Sequence, residues 1–224
     1  LSNSQFGFRK GKGISNAILS FIETILNAKD DRNYTIGLFL DLSKAFDTVT
    51  HDILIQKLRH IGIRGLAESW FISYLDGRKQ IVEIDSIKSN ITTLKHGVPQ
   101  GSILGPILFL IYINDLPLNI PLANTVLFAD DTNILINDFN TNNLQTKINE
   151  TSLQLEQWLI LNKLKLNVNK TVCMNFCQKR LHDPIKILLN NSIIKQVECT
   201  KFLGIWVDSD LTWESHIQYL TDKL

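Results

Sequence analysis

Three aspartates end or interrupt the most apolar stretches of this 224-residue chain. Asp130 and Asp131 follow the apolar run 126–129 and precede a second run, 133–136, while Asp41 ends the run that begins at Tyr34. Hard divalent cations take oxygen ligands, and Mg²⁺ is held by one or two protein carboxylates with substrate phosphates completing its shell. Two such ions ~4 Å apart stabilise both the attacking and the leaving oxygen of an in-line phosphoryl transfer. Three acids brought to one sheet edge fit that chemistry better than general acid–base work. The adjacent pair has a cost, because like charges raise each other's pKa, and a tight turn prefers Asn-Gly or Asp-Gly at its centre. A divalent cation would relieve the repulsion. Taken alone, the pair equally fits a solvated acidic turn.

A carboxylate is aimed by the element behind it. Residues 126–136 read as a hairpin with the acids at its tip. Residues 34–42 read as a strand buried on both faces. If the two were neighbours in one sheet, Asp41 would meet the pair. Around them, Ser15 or Asn16 can cap a helix to about Lys29, with Ile18, Phe21, Ile22 and Ile25 on one face. Thr50 can cap a helix over 51–60, stopped at Gly62, and a second helix covers 64–75. Residues 79–85 alternate like a strand, with 91–96 as partner, and a loop at 97–101 follows. The segment 103–113 reads as a buried helix with Pro106 in its first turn. Residues 140–162 form an amphipathic helix with Leu144, Ile148, Leu153, Leu155 and Trp158 as its core face. After a polar loop at 163–171 come strands at 172–177, 185–189, 193–197 and 200–207, then a helix from Leu211. Trp70 and Trp158 read as core anchors. Strands interrupted by helices predict an α+β layer architecture.

Hydrophobic residues make up 44% and charged residues 20%, the balance of a folded globular chain. A net charge of +1 argues against a basic nucleic-acid-coating module and leaves room for a local basic groove. Arg9, with Lys10 and Lys12, is expected to face nucleic-acid backbone, or else to form a solvated basic turn. Cys173, Cys177 and Cys199 have no metal-ligand or redox spacing and read as core thiols of a reducing, intracellular setting. The five histidines lack metal-site spacing. No apolar run reaches the ~18–20 residues of a membrane span. The chain begins at Leu1 rather than Met and ends within a helical pattern, so a piece of a longer protein is expected.

The stretches Phe39-Leu40-Asp41-Leu42-Ser43-Lys44-Ala45-Phe46-Asp47, Pro99-Gln100-Gly101-Ser102-Ile103-Leu104-Gly105-Pro106 and Phe128-Ala129-Asp130-Asp131 resemble three successive core motifs of reverse transcriptases. Gln5-Phe6-Gly7-Phe8-Arg9, Asn169-Lys170-Thr171 and Phe202-Leu203-Gly204 extend the likeness over nearly the whole chain, and the wording is similar to the non-LTR (LINE-like) retrotransposon branch. The resemblance implies a right-hand polymerase, with a palm of antiparallel sheet and packed helices at 34–49 and 101–207. Partial fingers would lie at 1–33 and 50–100, and 208–224 would start a thumb. It implies that Asp41 and Asp130, helped by the Leu42 carbonyl and completed by Asp131, hold two Mg²⁺ ions, with Mn²⁺ a possible substitute. The partners implied are an RNA template, a DNA primer and deoxynucleoside triphosphates.

By the same likeness Phe46 is a steric gate against ribose, though its type also suits core packing. Gln100 and Gly101 line the nucleotide, or form a plain helix-stopping loop. Lys170 neutralises departing pyrophosphate, unless it is only a solvated lysine. Phe202, Leu203 and Gly204 form a primer grip, or an ordinary core strand. Asp47 reads as a helix-entry residue outside the site. By the resemblance, the upstream fingers segment, the rest of the thumb and the endonuclease are expected to belong to the remainder of a parent polyprotein. The piece alone is therefore expected to be weakly active or silent until extended. A silent or domesticated copy that binds RNA or a partner is the alternative function, and a DNA-templated polymerase a third. Nuclear action follows from the resemblance alone.

Overall fold

A computed structural model describes residues 1–176 and 185–223. In chain order the elements are α1 (Ile14–Asp30), β1 (Tyr34–Leu40), a 3₁₀ turn (Ala45–Asp47), α2 (His51–His60), α3 (Leu66–Leu75), β2 (Lys79–Gln80), β3 (Glu83–Ile84), β4 (Ile87–Lys88) and β5 (Thr92–Thr93). Then follow α4 (Leu104–Ile113), α5 (Leu116–Asn119), β6 (Asn124–Phe128), β7 (Asp131–Asp138), α6 (Thr141–Leu161) and β8 (Val172–Asn175). The last are β9 (Leu188–Leu189), β10 (Ser192–Ile193), β11 (Lys195–Gln196), β12 (Cys199–Phe202), β13 (Ile205–Asp208) and α7 (Glu214–Thr221).

A five-stranded sheet in the order β11-β8-β1-β7-β6 carries the molecule. Every pairing in it is antiparallel except the short β11–β8 rung. β1 lies at its centre, which explains its unbroken apolar sequence. Its alternate residues feed two separate cores. Ile36, Leu38 and Leu40 pack with Leu54 and Leu58 of α2, Phe109 of α4 and Trp158 of α6. Phe39 faces the other way, to α1 and the β12–β13 hairpin. There the Phe21 ring lies 5.5 Å from Phe39 and 4.6 Å from Phe202. At full burial such an aromatic cluster stabilises by about 1.5–3 kcal/mol per ring.

Several local expectations need correction. Asn16 does not cap α1; it sits in the first turn and its Oδ1 accepts the Gly13 N–H at 2.9 Å. Thr50 occupies the cap position of α2, but its hydroxyl makes no capping bond. Leu153 is 56% exposed, because it falls ~140° round α6 from Ile148. Thr151, Ser152 and Leu159 fill the inner face instead. Trp70 is no core anchor: it is 52% exposed and stacks on Tyr74, one helical turn away, at 5.4 Å. The paired strands at 79–85 and 91–96 shrink to two-residue ladders, β2–β5 and β3–β4, with every paired residue exposed. Residues 200–207 are two strands, with Leu203 (φ 46°) and Gly204 (φ 93°) forming the kind of turn that needs two positive φ values. Cys177 and His182 lie outside the described residues. No helix among the described residues is long and apolar enough to cross a membrane.

Candidate active site

β6 and β7 form a hairpin whose last pair is Phe128↔Asp131, so Ala129 and Asp130 are its two central residues. The acids are not both in the turn: Asp130 is, and Asp131 opens β7. The positive φ falls on Ala129 (56°) and not on Asp130, the pattern of a type II′ turn, where glycine is usual. The chain therefore accepts backbone strain at the residue that aims Asp130.

The β1–β7 register runs from Tyr34↔Asp138 to Leu40↔Thr132. One further step places Asp41 opposite Asp131, where facing residues are ~5 Å apart. Facing residues share one side of a sheet, so Asp41 and Asp131 lie on the side of Phe39 and of the β12–β13 hairpin. The electrostatics agree. Asp131 reaches solvent yet is otherwise surrounded by protein, and that environment first, then the charges of Asp130 and Asp41, push its carboxyl above the ordinary carboxylate range. Asp131 therefore feels both of the other acids. Among the described residues no three His, Cys, Asp or Glu side chains converge closely enough to hold an ion by themselves. The three carboxylates with a main-chain carbonyl and substrate phosphates would together be the donor set, all oxygen and suited to hard divalent cations.

The Lys170 loop is fastened to the same place. The Asn167 N–H donates to the Asp41 carbonyl (2.8 Å) and the Asp41 N–H donates to Thr171 Oγ1 (3.3 Å). Thr171 is fully buried, and its hydroxyl in turn donates to the Asn167 carbonyl. Leu42 bridges Leu166, and the Ser43 N–H donates to the Lys165 carbonyl. The loop is polar only outwardly: Leu164 and Leu166 are buried, and Lys170 is exposed.

On the other flank, the loops carrying Phe46 and Gln100 are laced together. The Gly97 N–H donates to the Val49 carbonyl (2.7 Å) and the Val98 N–H to the Phe46 carbonyl (2.9 Å). Gln100 Nε2 donates to Asp47 Oδ1 at 2.9 Å, so Asp47, left outside the site by sequence, fixes the glutamine amide. The half-buried Phe46 ring stacks on Phe109 at 4.5 Å. Gly101 has φ 78° and open space where a side chain would stand. Gly105 is the tighter position, since a Cβ there would lie 2.3 Å from the Pro99 oxygen. A cleft of about 510 Å³ opens beside Gln100, with Asp47, Arg78 and Lys79 among its walls. Its charged walls are mixed, two cations against one carboxylate.

Two candidates stand differently from their motifs. Arg9 Nη1 donates to the carbonyls of Ser2 and Gln5, so the guanidinium is turned on its own segment. Phe202 is buried among Phe21 and Phe39, leaving Leu203 and the exposed Gly204 at the hairpin tip. Sequence reasoning missed Asp47 and Thr171; both stand inside motifs already quoted, which was the available signal.

Residues 1–207 match the family described as reverse transcriptase (RNA-dependent DNA polymerase). The chain is 30% identical, over 95% of its length and 24% of the relative's, to the RNA-directed DNA polymerase from mobile element jockey of Drosophila melanogaster. It is 32% identical, over its whole length and 25% of the relative's, to the probable RNA-directed DNA polymerase from transposon BS of the same fly. It thus spans about a quarter of these curated relatives. Among solved structures, a telomerase from Candida tropicalis in complex with a fragment of telomeric RNA superposes with a TM-score of 0.61 at 14% identity, covering 94% of this chain and 33% of that one. At that identity the likeness speaks for the fold alone.

Proposed function

Because this chain belongs to the reverse transcriptase (RNA-dependent DNA polymerase) family, we propose that it is the catalytic core of an RNA-directed DNA polymerase of a non-LTR retrotransposon. The observation that carries the proposal is the β1–β7 register, which ends at Leu40↔Thr132 one residue short of Asp41 and Asp131, with Asp130 in the two-residue turn beside them. The reaction is attack of a primer 3′-hydroxyl on the α-phosphate of a deoxynucleoside triphosphate, with pyrophosphate leaving. Asp41, Asp130, Asp131 and the Leu42 carbonyl would hold two Mg²⁺ ions, or Mn²⁺ in their place. Such ions, when bound, neutralise phosphate charge and make the hydroxyl a better nucleophile.

The chain's own part is positioning and electrostatics. Phe46, fixed by its stack on Phe109, would exclude a ribose 2′-hydroxyl. Gln100, oriented by Asp47, faces the nucleotide, and Gly101 gives the backbone room to approach it. Lys170, on the loop anchored at Asp41, would meet pyrophosphate charge. The tip of the β12–β13 hairpin, Leu203 and Gly204 backed by Phe202, would support the primer end. The palm is then 34–49 with 101–207, flanked by fingers at 1–33 and 50–100 and followed by a thumb segment from 208. RNA template and DNA primer are the partners of this reading, and Arg9 serves them through the segment it stiffens.

Primer extension on an RNA template with Mg²⁺, an end-extended wild-type chain against the same chain with Asp130→Asn, tests it. The expected result is extension by the wild type and a loss of about 100-fold or more in the variant, the scale seen when one preorganised charge-stabilising group is removed. Equal extension by both would overturn the assignment of Asp130. A silent wild type that binds template as well as the variant does would favour a binding module instead.

A further inference from the structure

The first residues of the chain form no element of their own, yet they bond to β6 as an added edge strand would. The Leu127 N–H donates to the Ser4 carbonyl and the Phe6 N–H to the Leu127 carbonyl, both at 2.8 Å, with Gln5 and Leu127 in parallel register. Gln5 is only 1% exposed. Its Oε1 accepts two main-chain N–H groups, from Gly7 at 2.8 Å and from Ala129 at 3.1 Å. Ala129 is the strained residue of the catalytic turn. Gly7 is pressed on the same atom: a Cβ there would lie 2.5 Å from the Ala129 nitrogen and 3.1 Å from the Phe128 carbonyl carbon. The segment is itself held by its cations, through Arg9 as above and through Lys12 Nζ, which donates to the Asn3 carbonyl at 2.6 Å.

The other end of the Gln5 amide is the informative part. Nε2 is buried and finds no acceptor among the described residues. Burying an unpaired donor is unfavourable, and a methionine would fill the same volume without it. What a methionine could not supply is the oxygen. We infer that Gln5 is a positioning residue for Asp130: its side-chain oxygen, set by Gly7, holds the Ala129 N–H and so fixes the turn from which Asp130 projects. In a turn with two central residues, a hold on the first sets the direction of the second. The inference rests on the polymerase reading for what Asp130 does, and on geometry alone for what Gln5 does.

Gln5→Met and Gln5→Glu in the 224-residue chain separate these two parts. Two readouts serve: hydrogen exchange at the Ala129 amide, and Mn²⁺ binding followed by loss of the free-ion electron paramagnetic resonance signal. Gln5→Met is expected to speed exchange at Ala129 by about tenfold while Val126 and Leu127 stay protected. It should weaken Mn²⁺ binding by about tenfold, the usual scale for a residue that orients a metal ligand. Gln5→Glu keeps an oxygen at the same place and should stay near wild type in both. Should Gln5→Met unfold the chain, Gly7→Ala decides: its methyl displaces the Ala129 nitrogen with Gln5 intact, and both readouts should shift the same way. Unchanged exchange at Ala129 in Gln5→Met overturns the inference. So does unchanged Mn²⁺ affinity when the wild type binds the ion and Asp130→Asn does not. If wild type and Asp130→Asn bind Mn²⁺ equally poorly, the metal role of Asp130 fails, and exchange at Ala129 alone decides for or against Gln5.

Discussion

Asp131 trades stability for charge density. Its carboxyl holds a proton to higher pH in the fold than in the unfolded chain, so the unfolded chain ionises first as pH rises. Stability therefore falls from the ordinary carboxylate value of 3.8 up through the raised one, and it is not regained at neutrality. Asp131→Asn should raise Tm near neutral pH by on the order of 1–2 °C, a small shift because the group reaches solvent. Melts below the carboxylate range should show no gain, and added Mg²⁺ should stabilise the wild type more than the variant. Phe46→Val tests the neighbouring role: ribonucleotide incorporation relative to deoxynucleotide should rise by about tenfold or more, read by primer extension with each triphosphate. The three acids were legible because each stands against an apolar run. Asp47 was not, since the partner that gives it meaning, Gln100, is 53 residues away. Gln5 was further from view, its turn being 124 residues off.

Helices announced themselves wherever one face was apolar, as in α1, α2 and α6. The bonds at their ends did not, because the donor a cap satisfies is chosen by backbone geometry. The two-residue ladders were illegible for a plainer reason: with no buried face they leave no alternation to read. α4 shows how close packing acts on a whole element. Its first turn rides on the Pro99 carbonyl through Gly105. Gly105→Ala should cost about 1–3 kcal/mol in urea denaturation, by overpacking against backbone that cannot rotate away. It should also raise the KM for deoxynucleotide more than it lowers kcat, because the loop displaced is the one that carries Gln100.

For the whole molecule, the β6–β7 hairpin could be read from sequence, its turn being short, but the order of the sheet could not. β8 enters beside β1 from far along the chain, and the parallel β11 rung has no local signature. Stability is also uneven. The ladders of residues 79–93 are exposed throughout, while β1 lies between two cores. Hydrogen exchange should find 79–93 opening at low free energy and β1 only near global unfolding. The two-sided strand has one more consequence, which concerns copying errors. β7 is read two residues at a time, Ile134 and Ile136 into one core and Leu135 into the other. Exchanging one aliphatic codon there for another leaves that reading intact. Deleting a single codon between Thr132 and Asn137 would turn the rest of the strand inside out or pull Asp131 out of register with Asp41. A gene for this sheet can therefore drift in its letters but not in its length.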